Sequence, residues 1–171
     1  MDGLDTADLQ STGGDVDLTA GGTISSSILT ADAGNVDVEA TAGDIDNTNV
    51  NASGTADLDA DGSINNASVT AGPAATLLAG TNISEFDVDA ATVNLTASSG
   101  SITDVGGATD ITATTAILNA GTSIGSLANP IDTEVSNLTA DAGGGIYINE
   151  VDGLDTADLH STGGDVDLTA G

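Results

Sequence analysis

The chain has 171 residues, no Lys, Arg or Cys, one His, one Phe, one Tyr and 27 acids, giving a net charge of −27. Without a cation it cannot displace counterions from phosphates, which argues against nucleic-acid binding, and an anionic membrane would repel it. Without Cys it has no disulfides, no thiolate zinc site and no thiol nucleophile. High charge with few aromatics is the usual mark of disorder, but 39% of the residues are hydrophobic, so their spacing decides.

The opening residues, MDGLDTADLQ, are acidic and lack the apolar core of a signal peptide, and no stretch approaches the ~18 apolar residues of a membrane span. DGLDTADLQSTGGDVDLTAG at 2–21 returns as DGLDTADLHSTGGDVDLTAG at 152–171, with only Gln10 against His160 changed. Met1 falls where Val151 stands in the second copy and reads as a start residue placed on a cut. The expected organisation is a single solenoid segment over 1–171, one unit of about 150 residues plus a 21-residue overlap with the next.

A shorter period runs inside the unit. LTAGGTI (18–24) is followed by LTA (29–31), VEATAGDI (38–45) by VNA (50–52), and LDADGSI (58–64) by VTA (69–71). LLAGTNI (77–83) precedes VDA (88–90), and LTASSGSI (95–102) precedes ITA (111–113) after a short insertion at 104–110. LNAGTSI (118–124) leads, past a second insertion at 126–130, to IDT (131–133); LTADAGGGI (138–146) leads to VDG (151–153), and LTAG (168–171) begins again. Three columns emerge: a first of Leu or Val two residues before Ala, a second of Ile, and a third of short apolar segments.

The Ala of the first column falls at Ala20, Ala40, Ala60, Ala79, Ala97, Ala120, Ala140 and Ala170. Apolar residues alternate with Asp, Thr, Asn or Ser, the period of a strand with one buried face. Gly punctuates the columns at corners, and frequent Thr, Asn, Asp and Gly disfavour helix. A repeat of this size with three strands per turn is the mark of a β-solenoid. The fold expected is all-β: a parallel β-helix of about seven coils of 19–22 residues, each of three short strands. At the ~4.8 Å strand spacing it makes a rod of roughly 34 Å. From Leu138 to Leu168 is thirty residues where about twenty suffice, so DGLDTADLHSTGGD is expected to form an outward loop, an added hairpin or a partial coil. Such insertions are where solenoids carry binding function.

The runs GGDVDLTAGGTI, GNVDVEATAGDI and GGGIYINEVDGL resemble the repeat regions of filamentous-haemagglutinin-like exoproteins, large bacterial adhesins secreted by the two-partner route. The resemblance spans essentially the whole chain. It implies a right-handed parallel β-helix in a secreted, extracellular or cell-surface fibre, whose partners are neighbouring units of the same array. A rod segment that spaces and presents loops is then the leading expectation. A subunit that stacks head to tail is the second and a Ca²⁺-dependent binding module the third.

Candidate chemistry is sparse. DLDADGSINNAS (57–68) has nearly the letters of an EF-hand loop, but in the repeat register Leu58 and Ala60 point inward and Asp57 and Asp59 outward, with Asp61 entering the turn. Same-face residues on a strand lie ~6.8 Å apart in a line, which closes no cage, and Ser68 stands where the bidentate Glu belongs. The register instead stacks Asp17, Asp37 and Asp57 on successive coils, with Glu39 and Asp59 beside them, as an inter-coil ladder where Ca²⁺ or salt would relieve repulsion. No cofactor is required. His160 reads as a loop residue, and Phe86 and Tyr147 as covers for coil corners or, second, as marks of an adhesive spot. Pectate-lyase-like enzymes share this architecture but use Arg or Lys on acidic sugars, and no pair of acids is marked as a hydrolase couple, so catalysis is not expected. An ice-binding surface would want a Thr-x-Thr ladder, which the outward residues do not supply.

Overall fold

The structure, a computed structural model, describes residues 3–171; Met1, read above as a start residue, lies outside the described residues. Among the described residues there is no helix, and every strand pairing is parallel. The first column stacks Val16–Ala20, Val36–Ala40, Ala56–Ala60, Ala74–Ala79 and Thr92–Ala97 in direct register. It continues through 115–120 of Ile111–Ala120 and 137–142 of Ile131–Ala142 to Thr156–Ser161, making eight rungs, close to the seven expected. The second column stacks the two-residue strands Ile24–Ser25, Ile45–Asp46, Ile64–Asn65, Ile83–Ser84 and Ile102–Thr103. The third runs from Asp8–Ser11 through Ile28–Ala31, Asn49–Ala52, Ser68–Ala71 and Asp87–Asp89.

Alternation builds the core. In Val36–Ala40 and Ala56–Ala60 every second residue is buried and the residues between are exposed. Ile24, Ile45, Ile64, Ile83, Ile102, Ile124 and Ile146 form one fully buried file along the axis. Each such side chain contributes about 1.5–3 kcal/mol by leaving water. Pairing Leu with Ala on one strand keeps each layer's volume small enough for a narrow core.

Corners explain much of the Asp and Asn. The Asp15 carboxylate accepts the Asn35 N–H at 2.8 Å, and the Asn35 side-chain oxygen accepts the Thr55 N–H at 2.9 Å. Asp44 does the same for Ser63 at 2.7 Å, and Asn82 for Ser101 at 3.0 Å. These side chains satisfy backbone donors where the ladder turns. After the second column the chain takes φ of 50–52° at Ser26, Asn47, Asn66 and Glu85, a left-handed corner that suits Asn. Where a corner brings two coils into contact only Gly fits: a Cβ on Gly80 would strike the Asp61 carbonyl.

From residue 104 onward the rod is less regular, beginning with the two insertions where outgrowths are expected. The segments 104–110 and 126–130 leave the ladder as outgrowths, exposing Val105 and Leu127. Third and first columns then fuse into single strands, Ile111–Ala120 and Ile131–Ala142. The second slides by two residues, so Leu138 lies beside Ala116, Ala140 beside Leu118 and Ala142 beside Ala120. A two-residue slide keeps every side chain on its own face. It also sets large against small across successive rungs. Of the forms expected for 152–165, the structure has the partial coil and not an outward loop or hairpin: Thr156–Ser161 forms a regular rung on 137–142. Val166–Ala170 then pairs with Ile146–Glu150, not with the first column, so Leu168 and Ala170 fall outside the file assigned to them. VDG at 151–153 is likewise not a third-column strand; Ile148 and Glu150 hold that place, beside Ile131 and Thr133.

Candidate functional site: an acidic ladder and buried carboxyls

The predicted ladder assembles on the outer side of the first column. Asp17 lies beside Asp37 and Asp37 beside Asp57, each on an outward position of its strand. Glu39 lies beside Asp59, between Thr19 below and Leu78 above. Thr76 follows Asp57 and closes the upper end of the file. Partial burial, followed by the charges of Asp17, Asp57 and Asp59, raises the pKa of Asp37, the middle residue, above the ordinary carboxylate value. Asp15, Asp17, Asn35, Asp37 and Asp57 line a shallow groove of about 190 Å³.

The ladder is linear. Among the described residues no group of three or more His, Asp or Glu converges as a metal cage. The EF-hand-like letters are dispersed in the same way: Asp57 and Asp59 sit on the first column, Asp61 at the corner and Ser68 on the third column.

Two buried carboxyl centres went unanticipated. Asp104 and Asp110 flank the 104–110 outgrowth and are 9% and 4% exposed. The Asp104 carboxylate accepts the Gly106 N–H, and the Asp110 carboxylate accepts the Asp132 N–H at 2.8 Å. Burial pushes Asp110 up to about 7, against the opposing hydrogen bond from Asp132; the charges of Asp104 and Asp132 add to the rise. Beside the pair lies a cavity of about 330 Å³ bordered by Phe86, Asp87, Val105 and Ala108. Phe86 is buried there, under a corner as expected.

Glu150 is the second centre, 1% exposed. Thr133 Oγ1 donates to it at 2.6 Å, the Val135 N–H at 3.2–3.3 Å and the Asp152 N–H at 3.2 Å. Burial raises its pKa despite these donors. A period-two signal could have found it: in Ile146–Glu150 the inward positions are Ile146, Ile148 and Glu150. No such rule reaches Asp104 and Asp110, which meet only because an irregular segment returns on itself.

His160 is not on a loop. It lies in Thr156–Ser161, with Nδ1 3.2 Å from Asp141 Oδ1 on the rung below. Tyr147 stands half-buried on Ile146–Glu150. Taken together, the surface offers a repulsive file of carboxylates and the interior two places able to hold a proton. No family model, curated protein or solved structure matches the chain.

Proposed function

We propose that this chain is a rod segment of a large secreted adhesin or extracellular fibre, holding other parts at a distance and presenting loops along its length. One observation carries the reading: the first column runs through eight rungs in parallel register, with an architecture that any number of further coils could extend. Outward acids would keep such rods soluble and apart. The outgrowths at 104–110 and 126–130, with exposed Val105 and Leu127, are the natural places for contact with a partner. Secretion and adhesion come from the family resemblance of the repeat runs. The test is X-ray scattering from one-, two- and three-unit tandems. Each added unit should lengthen the particle by about 35 Å at constant cross-section, at ~4.8 Å per coil. Compact growth in all directions would defeat the reading.

A subunit stacking head to tail is the second reading. Asp8–Ser11 and Thr156–Ser161 each pair on one side only among the described residues, leaving strand edges at both ends of the stack. Light scattering across a concentration series separates the two: association of single units supports stacking, and strict monomers oppose it.

A further inference from the structure

The two copies of the twenty-residue segment do not occupy equivalent places. In the first, Leu4 bridges Ile24 in the second column, Asp8–Ser11 lies in the third, and Val16–Ala20 lies in the first. In the second, Thr156–Ser161 lies in the first column, Val166 lies on the second beside Ile146, and Leu168 and Ala170 run on to the third beside Ile148 and Glu150. Leu154, the counterpart of Leu4, packs against the core between Glu150 and Thr156. The strand at 156–161 has thus advanced by one column from the third to the first, and Val166 by one from the first to the second, its strand then running on into the third.

The inward residues are the same in both. Leu9 pairs with buried Leu29, and its counterpart Leu159 pairs with buried Ala140. Val16 pairs with Val36, and Val166 with Ile146. All three columns are short alternating strands around one axis, so a segment with the right in-out pattern fits any of them. What selects the column is the chain used since the previous coil. Seven coils separate Val16–Ala20 from Thr156–Ser161, and the unit is one column longer than that.

We propose that the edge formed by Thr156–Ser161 and Val166–Ala170 receives the next unit of the same sequence turned by one column, so that consecutive units are rotated by about a third of a turn. This rests on the rod reading above. Pairings such as Ile24 on Leu4 and Val36–Ala40 on Val16–Ala20 then recur at the junction, moved on around the axis. The acidic ladder and the 104–110 outgrowth therefore face three directions in turn. They realign every third unit, after about 22 coils or roughly 105 Å at ~4.8 Å per coil. A rod built this way has no continuous bare side on which to pack against its neighbours.

The chain has no Cys, so paired cysteines report the columns without background. Adjacent parallel strands sit ~4.8 Å apart, within the Cα range of a disulfide. Tyr147→Cys with Asp167→Cys, and separately Asn149→Cys with Thr169→Cys, should oxidise to intramolecular disulfides seen by mass spectrometry, since these residues are partners. Asn137→Cys with Asp167→Cys should stay reduced; it would close if the second copy repeated the first copy's column, and closure there without the other two overturns the proposal. In a three-unit tandem, Ala128→Cys in each unit, biotinylated and bound to streptavidin, should show labels at three azimuths by electron microscopy. Labels along one side, on a tandem that lengthens normally, overturn the rotation alone. A tandem that fails to lengthen strikes the rod reading and takes the rotation with it.

Discussion

Residues 16–103 and 104–171 build one solenoid in two manners. In the first stretch each coil has three separate strands, partners lie at the same motif position, and the acids point outward. In the second, strands fuse across a corner, one slides by two residues, and three carboxyl groups are buried. The difference shows what the fold requires. Inward size and in-out alternation must be kept, while strand length, corner and motif register can vary provided each layer's volume is conserved.

The largest expected effect lies in the regular stretch. Ile64 is fully buried between Ile45 and Ile83. Ile64→Ala should cost about 2–5 kcal/mol in urea unfolding, since rigid layers on both sides cannot collapse into the cavity. A cost under about 1 kcal/mol would mean that the layers relax.

In the irregular stretch the corresponding lever is charge. The Asp110 carboxyl is raised to about 7 when folded, from an ordinary value of 3.8. Below pH ~4 it is protonated whether folded or unfolded and costs nothing. Between the two values the unfolded chain ionises first, so stability falls as pH rises and levels off above about 7. Asp110→Asn keeps an acceptor for the Asp132 N–H and removes the buried charge. It should raise stability at pH 8 on the order of 3 kcal/mol and leave it little changed at pH 4. An equal change at both pH values would mean that the charge is already well solvated.

The sliding strand gives a smaller test. Leu138→Ala alone should cost about 2–5 kcal/mol, whereas Leu138→Ala with Ala140→Leu conserves layer volume and should cost under about 1.5 kcal/mol. If the double variant is no better than the single, size complementarity between rungs, not total volume, sets the slide.

Smallest is the ladder. Two carboxylates one rung apart repel by roughly 1 kcal/mol in water. Asp37→Asn should therefore raise the melting temperature at low salt, with the gain fading toward 1 M NaCl. Comparing CaCl₂ with NaCl at equal ionic strength distinguishes a cation site from a screened face: a calcium-specific rise in the parent that Asp37→Asn abolishes assigns the ion to the ladder.

The solenoid was legible wherever period-two alternation and the Gly corners repeat. The Asp17, Asp37 and Asp57 file could be placed because three coils of near-equal length keep the motif in step. Asp104 and Asp110 were not legible, because no local period governs an outgrowth. The place of the rung at 156–161 in the first column was not legible for a related reason: matching LTA with LTA placed Leu168 on Leu138, whereas the chain places Ala157 there.

The residues by themselves determined the strands, their inward faces, the corners and the parallel stack, because alternation and turn chemistry act within a few neighbours. Only the tertiary structure decided which column each strand enters. Columns of equal character accept the same segment, and the choice turns on the chain consumed in all the coils before it. The same DVDLTA therefore lies on the first column at 15–20 and runs from the second into the third at 165–170.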